Sequence, residues 1–246
     1  MTEAEFLKAY NPKDFDAPLC TVDMAIFAVE GGALKILLVK REEHPHKGRW
    51  ALPGGFADLK NDKAIEGTAY RKLAEKTGIK TPYLEQVEGI GNASRDPRGW
   101  SVTLLYFALV DYEALKEAGD LDTGAETSEW VALEEALQRD LAFDHALLLR
   151  KAVNRLRAKT RYTALPISLM PENFTFTELQ TMYELILGRS LQKKSFRRRL
   201  EASGILVETG EMRATARRPA AVYRQAEGVK ADYVFPGVLD VQLEPL

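Results

Sequence analysis

The segment from residue 71 to residue 78 carries charged side chains at a spacing that suits phosphate chemistry. Lys72, Glu75 and Lys76 are three and four positions apart, so on a helix they share one face. Carboxylates on such a face could hold Mg²⁺ against a pyrophosphate, because Mg²⁺ is bound by hard oxygen ligands. Here two of the three side chains are ammonium groups, which oppose a metal ion but could neutralise a pyrophosphate themselves. We therefore predict a ligand-binding face with no metal and no catalytic residue, formed by Arg71, Lys72, Glu75 and Lys76.

Residues elsewhere in the chain could complete a nucleotide pocket. The loop between two predicted strands offers Arg95 and Arg98 for phosphate or ribose and Trp100 for stacking on a base. The same loop also fits an exposed β-turn followed by a core tryptophan, and both interpretations stay open. Arg41 ends a strand nearby, and Gly55 lies in a Pro-Gly-Gly turn that lets the backbone approach a ligand closely. We add these five residues to the predicted ligand-binding set.

A run of lysine and arginine near residue 195 suits contact with a polyanion. Phe196, Leu200 and Ser203 share one helical face that can pack inward, which leaves the basic side chains on the other faces. We predict that Arg199 serves a phosphate or an ion pair, and that arginines of the following loop enter a minor groove. The residues predicted to face the major groove are Lys194, Arg197 and Arg198. The full predicted DNA-binding set is Lys193, Lys194, Ser195, Arg197, Arg198, Arg199, Arg217 and Arg218.

The distribution of charge indicates a polyanionic partner for one part of the chain only. The formal net charge is −2, yet residues 151–224 hold 15 Lys and Arg against 6 Asp and Glu, which leaves about −11 for the remainder. Because phosphate neutralisation drives most nucleic-acid affinity, a basic block on an acidic body fits a chain that binds nucleic acid through that block. The alternative is a small helical appendage with a solvated basic surface, used for dimer contacts or RNA. Aromatic residues are sparse there, which favours duplex DNA over RNA.

The elements that must position these residues follow from periodicity and turn signals. Phe143-Asp144-His145 precedes a long amphipathic helix, so Asp144 could cap that helix, and the lone His145 is interpreted as structural. The predicted strands cover 21–29, 34–39, 83–92 and 100–110, and the predicted helices cover 64–77, 132–138 and 143–159.

A change of composition indicates a second domain. Residues 160–173 contain Pro166 and Pro171 and are predicted to be a linker. Beyond them, two helices and then two strands joined by a basic loop give the order of a winged helix, whose second helix enters the major groove. We predict a ligand-sensing domain over 1–160 and a DNA-binding domain over 161–246.

Composition also excludes several classes of protein. Cys20 is the only cysteine, which excludes an internal disulfide and a cysteine-based zinc site. No apolar run approaches the roughly 20 residues that span a bilayer, and the first residues lack the pattern of a secretion signal. We expect a cytoplasmic protein with no structural metal and no membrane partner.

The turn and helix described above resemble the Nudix box, in which a glycine turn precedes a helix that carries an Arg-Glu pair and further glutamates. The residues in register with that box are Pro53-Gly54-Gly55, Arg71, Leu73, Glu75 and Gly78. Lys72 and Lys76 replace two of its carboxylates, and Lys63 stands where its upstream glutamate would be. The resemblance implies an α+β chain with a Nudix αβα sandwich that binds a nucleotide but is impaired in hydrolysis. An amphipathic helix with no Nudix relationship is the alternative.

A Nudix-like domain followed by a basic winged helix-turn-helix is similar to the NrtR family of bacterial regulators of NAD metabolism. The segments 91–103 and 141–145 carry further resemblance. The family implies a homodimeric transcriptional repressor that binds a palindromic double-stranded DNA operator near NAD biosynthesis or salvage genes and requires no cofactor. It also implies that ADP-ribose, or a related NAD metabolite, is the effector that releases the DNA. The competing interpretations are an active ADP-ribose pyrophosphatase with an accessory basic domain and an RNA-binding Nudix protein.

Overall fold

The computed structural model describes residues 1–78, 83–117, 127–215 and 218–234. The strands of a first sheet are β1 (Leu19–Glu30), β2 (Ala33–Lys40), β3 (Trp50–Ala51), β4 (Gly54–Phe56), β5 (Tyr83–Asn92), β6 (Ser101–Leu109) and β7 (Ser128–Ala132). The strands of a second sheet are β8 (Phe174–Thr175), β9 (Leu206–Arg213) and β10 (Ala220–Gln225). The helices are α1 (Glu3–Ala9), α2 (Ile65–Thr77), α3 (Tyr112–Glu117), α4 (Leu133–Ala136), α5 (His145–Thr160), α6 (Phe176–Leu187) and α7 (Lys193–Ser203). In the described ranges, no helix combines the length and the apolar character needed to cross a membrane.

β1 is the central strand of the first sheet. The strand order is β3-β2-β1-β6-β5, with β4 paired to β1 and β7 paired to β2. β1 and β6 run parallel, with Thr21 opposite Thr103, and the remaining pairs are antiparallel. Residues 21–28 are all buried, and the continuous apolar run at 24–28 follows from this, because both faces of the strand are covered.

Helices cover both faces of this sheet. Ala25 and Phe27 of β1 belong to the core that contains Val153 of α5. Met24 and Ile26 point to the opposite face and pack in the core that contains Leu73 of α2. This alternation follows from the two-residue period of a strand. The layers α5, sheet and α2 form the αβα sandwich that the resemblance to the Nudix family implies.

The C-terminal unit has the element order of a winged helix, as predicted. Thr175 and Glu178 form a capping box at the start of α6, which ends at Gly188 in the left-handed region. On α7, Phe196 and Leu200 are buried as their spacing predicts. β9 and β10 form a hairpin, and β8 pairs with β10. The predicted fold class, α+β with a Nudix sandwich followed by a winged helix, is confirmed.

The segment predicted to be a linker is buried over residues 163–167 and exposed over residues 171–173. Pro166 lies in the first turn of a 3₁₀ helix at Leu165–Leu169, where a proline needs no N–H partner, and Pro171 follows the end of that helix. Leu165 is buried in the core of the first unit, whereas Ala164 and Ile167 are buried in the core of the second. The Tyr183 hydroxyl of α6 donates to the backbone carbonyl of Thr163 at 3.0 Å. The apolar residues around Pro166 make burial more favourable than an exposed tether. The division at residues 160 and 161 stays a prediction.

The start of α5 also differs from the prediction. Phe143 has a φ of 52°, in the left-handed region, so the helix begins at His145 instead. Asp144 lies at the N-cap position, but its side chain makes no capping hydrogen bond. The carboxylate of Asp144 binds Arg95. The predicted helix over 132–138 is the shorter α4.

Gly54 lies where β4 crosses close to β1. A Cβ at residue 54 would lie 2.3 Å from Asp23 Oδ1 and 2.5 Å from the Val22 carbonyl oxygen. We expect Gly54→Ala to lower the free energy of unfolding by about 1–3 kcal/mol, because the backbone oxygen cannot move without disturbing the pairing of β4 with β1. Gly55→Ala is the matched control, since its Cβ would be closest to the flexible side chain of Lys72. Urea unfolding measures both, and equal losses would contradict the prediction.

Candidate functional site

A cavity of about 280 Å³ opens where the Pro-Gly-Gly turn that leads into β4, the loop after β5 and the start of α5 meet. The charged side chains and the histidine that line it are Asp23, Arg41, Glu43, Lys76, Arg95, Asp96, Arg98 and His145. The predicted ligand-binding residues that it brings together are Arg41, Gly55, Lys76, Arg95 and Arg98. The predicted residues outside its lining are Arg71, Lys72, Glu75 and Trp100. Sequence reasoning did not include Asp23, Glu43 and Asp96, because they are single acids in strands and turns with no helical spacing.

Arg95 forms a buried network of ion pairs at this cavity. Its Nε and Nη2 atoms donate to the two carboxylate oxygens of Asp144, both at 3.0 Å. Nη2 also lies 3.4 Å from Asp23 Oδ2, and Nη1 donates to the Ser101 hydroxyl at 3.4 Å. Only 8% of Arg95 is exposed, so these carboxylates balance its charge where water has little access. Arg95 therefore organises the cavity wall, and its contact with a ligand stays a prediction.

Arg41 and Arg98 bring two further positive charges to the cavity. Arg98 donates from Nε and Nη2 to the Asp96 carboxylate at 3.0 and 2.7 Å, and these hydrogen bonds hold the pKa of Asp96 below its ordinary value. The Arg41 guanidinium lies over the Phe143 ring, 4.7 Å from its centroid. Burial lowers the pKa of Arg41, and the positive charge of Arg98 lowers it further. Asp96, Asp23 and Glu43 oppose this lowering, and an anionic group of a ligand bound beside Arg41 would oppose it further.

His145 lines the same cavity, although the pattern before α5 indicated only a structural role. Its Nδ1 accepts a hydrogen bond from the Leu52 backbone N–H at 2.9 Å. The ring proton of the neutral form is therefore on Nε2, which faces Asp23 Oδ1 at 3.7 Å. Burial lowers the pKa of His145 and favours this neutral form. His145 thus supports the backbone of the Pro-Gly-Gly turn and presents one N–H to the cavity.

The charged face of α2 divides between the cavity and a group of ion pairs outside it. Lys76 lines the cavity. Lys72 Nζ lies 2.7 Å from one carboxylate oxygen of Glu75, and Arg71 Nη1 lies 3.0 Å from the other. Burial raises the pKa of Glu75, but the hydrogen bonds from Lys72 and Arg71 outweigh it and the pKa falls below its ordinary value. Both oxygens of Glu75 are thus bound to cations. In the part of the chain that the structure describes, no group of three His, Cys, Asp or Glu is placed to hold a metal ion. These residues do not fit a divalent cation.

Asp62 is the carboxylate partner of Arg71, and the sequence pattern did not single it out. Arg71 donates from Nε and Nη2 to the two oxygens of Asp62 at 2.9 and 2.7 Å, and the Thr68 hydroxyl donates at 2.7 Å. Arg71 also donates to the backbone carbonyl of Phe56 at 3.2 Å, so it ties the β4 turn to α2. Asp62 is one residue before Lys63, which stands where the Nudix box has its upstream glutamate. An acid at the neighbouring position is the feature of the sequence that could have indicated Asp62. Arg71 therefore contacts the cavity wall only through the Phe56 carbonyl among the contacts described, and its predicted contact with a ligand stays a prediction.

The Asp62–Arg71 pair should make stability depend on pH. The hydrogen bonds from Arg71 hold the pKa of Asp62 well below its ordinary value of 3.8. A carboxyl whose pKa falls on folding stabilises the protein above its unfolded pKa, and this stabilisation is lost as the pH falls through the folded pKa. We therefore expect Asp62→Asn to be less stable than the parent at neutral pH, with the difference shrinking below about pH 4. Urea unfolding at several pH values measures this. Asp140→Asn is the control, since the Asp140 side chain is 86% exposed, and an Asp62→Asn deficit that does not change with pH would contradict the assignment.

Trp100 lies in a neighbouring hollow. It is 53% exposed, so the alternative of a core tryptophan is wrong. The hollow is lined by residues 98–100, by residues 16–18 of the segment before β1 and by Leu19, the first residue of β1. Arg98 therefore borders both the hollow and the cavity, and the predicted stacking of a base on Trp100 stays a prediction.

The basic residues of α7 differ in what they contact. Lys193, Lys194, Ser195 and Arg198 are exposed, and Arg199 is half-buried beside a shallow hollow on the helix surface. Arg197 is exposed as well, but its Nε donates to Glu201 Oε1 at 2.7 Å, and its predicted contact with the major groove stays a prediction. The sequence places Glu201 one turn after Arg197 on α7, but it does not show that these two side chains bind each other.

The loop between β9 and β10 is the wing. Arg218 is exposed there, and Arg217, the other predicted wing contact, lies outside the described residues. Arg213 at the end of β9 is bound to α6 and to the segment before β8. Its guanidinium lies 2.8 Å from Glu178 Oε2 and donates to the Asn173 carbonyl at 3.0 Å. The base of the wing is thereby anchored to the start of α6.

Comparisons with known proteins cover both units. A family model described as the NUDIX domain matches residues 21–152, and one described as the NrtR DNA-binding winged helix domain matches residues 166–225. A curated relative from Acinetobacter baylyi, the ADPR responsive transcriptional repressor NtrR, is 55% identical over 239 residues, which is 97% of this chain and 94% of that protein.

Two solved structures are similar as well. Shewanella oneidensis NrtR complexed with a 27mer DNA shares 43% identity, with 90% of this chain and 99% of that chain covered and a TM-score of 0.79. The NUDIX domain of the same protein complexed with ADP ribose shares 46% identity, with 63% of this chain and 99% of that chain covered and a TM-score of 0.56.

Proposed function

This chain belongs to the NrtR family, and from that premise we propose that it is a DNA-binding transcriptional repressor whose Nudix domain senses ADP-ribose or a related NAD metabolite. The genes it controls would be those of NAD biosynthesis or salvage. Support comes from the relatives, one of which is named as an ADPR responsive repressor. Further support comes from two similar solved structures, one of NrtR complexed with DNA and one of an NrtR NUDIX domain complexed with ADP ribose.

The observation that carries this proposal is the presence of two separate cationic sites in one chain. The first is the cavity, where Arg41 and Lys76 form no ion pair among the described residues and suit a small anionic ligand. The second is the exposed face of α7, where Lys194 and Arg198 suit a long polyanion. A hydrolase acting on small nucleotides would need only the first site. A ligand-controlled DNA-binding protein needs both.

We propose further that the Nudix domain binds its ligand without efficient hydrolysis. Two Mg²⁺ ions would require several free carboxylates on one face of α2. Glu75 is there, but it is bound by Lys72 and Arg71, and Lys76 occupies the cavity side of the helix. The ammonium group of Lys76 can balance phosphate charge at this position. Cleavage of ADP-ribose by purified protein with Mg²⁺ or Mn²⁺ at enzyme-like rates would contradict this part of the proposal and favour the pyrophosphatase alternative.

In the proposed mechanism a homodimer binds a palindromic operator with its two α7 helices. Successive major grooves on one side of DNA are about 34 Å apart, so the two helices must keep that separation. ADP-ribose can weaken DNA binding only if it favours a conformation in which the helices no longer match the grooves. The coupling is reciprocal, so the operator must weaken ADP-ribose binding by the same factor.

A titration with fluorescence anisotropy tests the proposal. The probe is a labelled duplex from the intergenic DNA upstream of the gene for this chain, and the control is a scrambled duplex of equal length. We expect tight binding to the first duplex, weaker binding to the second, and release of the first by ADP-ribose but not by inorganic phosphate. Absence of binding at physiological salt would contradict the repressor function. Tighter binding to RNA of the same sequence would favour the RNA-binding alternative.

A further inference from the structure

Arg197 has partners on three elements of the winged helix. Its Nε donates to Glu201 on α7 at 2.7 Å, and its Nη2 donates to the Tyr223 hydroxyl on β10 at 3.3 Å. Its guanidinium also lies over the ring of Phe176, the first residue of α6, 5.3 Å from the centroid. One side chain on the recognition helix thus contacts the wing strand and the preceding helix.

The partners of Arg197 form part of the core. The Phe176 ring packs against Phe196 and Tyr223, with centroids 5.8 and 5.6 Å apart. Tyr223 is only 7% exposed and lies on β10 opposite Glu208 of β9. Arg197 covers the outer edge of this aromatic cluster, so displacing it would uncover aromatic surface and leave Tyr223 without this hydrogen bond.

The carboxylate of Glu201 also argues against a phosphate contact by Arg197. A phosphate bound to this guanidinium would approach Glu201, and like charges repel at that distance. Arg198 has no such acid, because no ion pair involves it among the residues that the structure describes. Lys194 is equally exposed and unpaired within the same part of the chain. These two side chains are therefore free to meet phosphates or bases.

We infer that Arg197 is a positioning residue, which fixes the wing strand β10 against the recognition helix α7 and does not itself contact DNA. The inference rests on the proposed DNA-binding function and deepens it. Arg218 of the wing stands two residues before β10. Fixing β10 through Tyr223 therefore fixes where the wing meets DNA while α7 occupies the groove.

The salt dependence of DNA binding separates positioning from phosphate contact. Log affinity falls as log salt rises, and each lost phosphate contact reduces the magnitude of this slope by about 0.9. We expect Arg198→Met, the matched control on the same helix, to lower the slope by about that amount for each recognition helix bound. Arg197→Met should leave the slope unchanged while weakening binding to the upstream duplex by about tenfold, and binding to the scrambled duplex should change little.

Two more variants of the full chain complete the test. Tyr223→Phe removes only the hydroxyl that accepts from Arg197, and it should weaken specific binding without changing the slope. Arg197→Lys keeps the charge but loses the planar fork, so it should not restore specific binding, whereas a phosphate contact would be restored by lysine. Urea unfolding accompanies each variant, so that a loss of folded protein is distinguished from a loss of specificity.

Three outcomes would overturn the inference. They are a slope that falls for Arg197→Met as it does for Arg198→Met, an Arg197→Lys variant with parental affinity, and an Arg197→Met variant with unchanged affinity for both duplexes. If the parent protein binds neither duplex, the proposed function fails and this inference fails with it. If the parent binds specifically and one of the three outcomes is seen, only the role of Arg197 is wrong.

Discussion

Arg95→Met is expected to lower the free energy of unfolding by about 3–5 kcal/mol, the usual loss when one partner of a buried ion pair is removed. Methionine approximates the length of the side chain without its charge. The side chains of Asp23 and Asp144 are only 9% and 18% exposed, so water cannot replace the guanidinium that balances them. The substitution also removes the link between the loop after β5 and the start of α5, so the cavity should lose its shape together with its stability.

Arg139→Met is the matched control for this prediction. Arg139 also binds two carboxylates, at 2.8 Å to Glu129 and 2.7 Å to Glu135, but those partners are 45% and 60% exposed. Solvent screening should limit its loss to about 1 kcal/mol or less. Urea unfolding of both variants at neutral pH measures the difference, and an Arg95→Met variant no less stable than Arg139→Met would show that the buried network has little effect on stability.

Lys76→Gln is expected to weaken ADP-ribose binding by about 10- to 100-fold, because a charge-assisted contact to phosphate is worth about 1.5–3 kcal/mol. Lys76 is the only lysine among the described residues that line the cavity. Glutamine keeps most of the side chain and can still donate a hydrogen bond, so the loss reports mainly on the charge. Operator affinity without ligand should not change, since Lys76 is on the Nudix domain and far from α7 in the chain.

Lys72→Gln separates the two lysines that sequence spacing treats as equivalent. Lys72 lies on the same helix, but it is bound to Glu75 and does not line the cavity. We expect less than about a threefold change in ADP-ribose affinity for this variant, because its charge is already balanced. Isothermal titration calorimetry of both variants measures their affinities for ADP-ribose. Equal losses of affinity would contradict this prediction and indicate that Lys72 contacts the ligand.

Patterns with a fixed period were predictable from the sequence. The inward face of α7, with Phe196 and Leu200, and the shared face of Lys72, Glu75 and Lys76 on α2 both follow from 3.6 residues per turn. The resemblance to two families then supplied the order of the two units. In each of these cases the information lies within a few neighbouring residues.

The partners of long charged side chains were not predictable in this way. Arg95 binds Asp144, 49 positions away, and Arg197 reaches Tyr223, 26 positions away. An arginine chooses among carboxylates by where the folded backbone places them, so its sequence neighbours say little about its direction. For the same reason Trp100 was assigned to the cavity by type, while the turn before β6 places the ring in a neighbouring hollow.

The buried connection at residues 163–167 changes the thermodynamics of operator binding. A winged helix on a loose tether would sample many orientations, and binding two half-sites would have to restrict them with a loss of entropy. Leu165 packs in the first core and Ile167 in the second, so folding already restricts the orientation of the winged helix within one chain. In each chain of the proposed dimer the recognition helix is therefore oriented before it meets DNA, which reduces the entropy lost on binding, and ADP-ribose would have to act on this orientation or on the arrangement of the two chains.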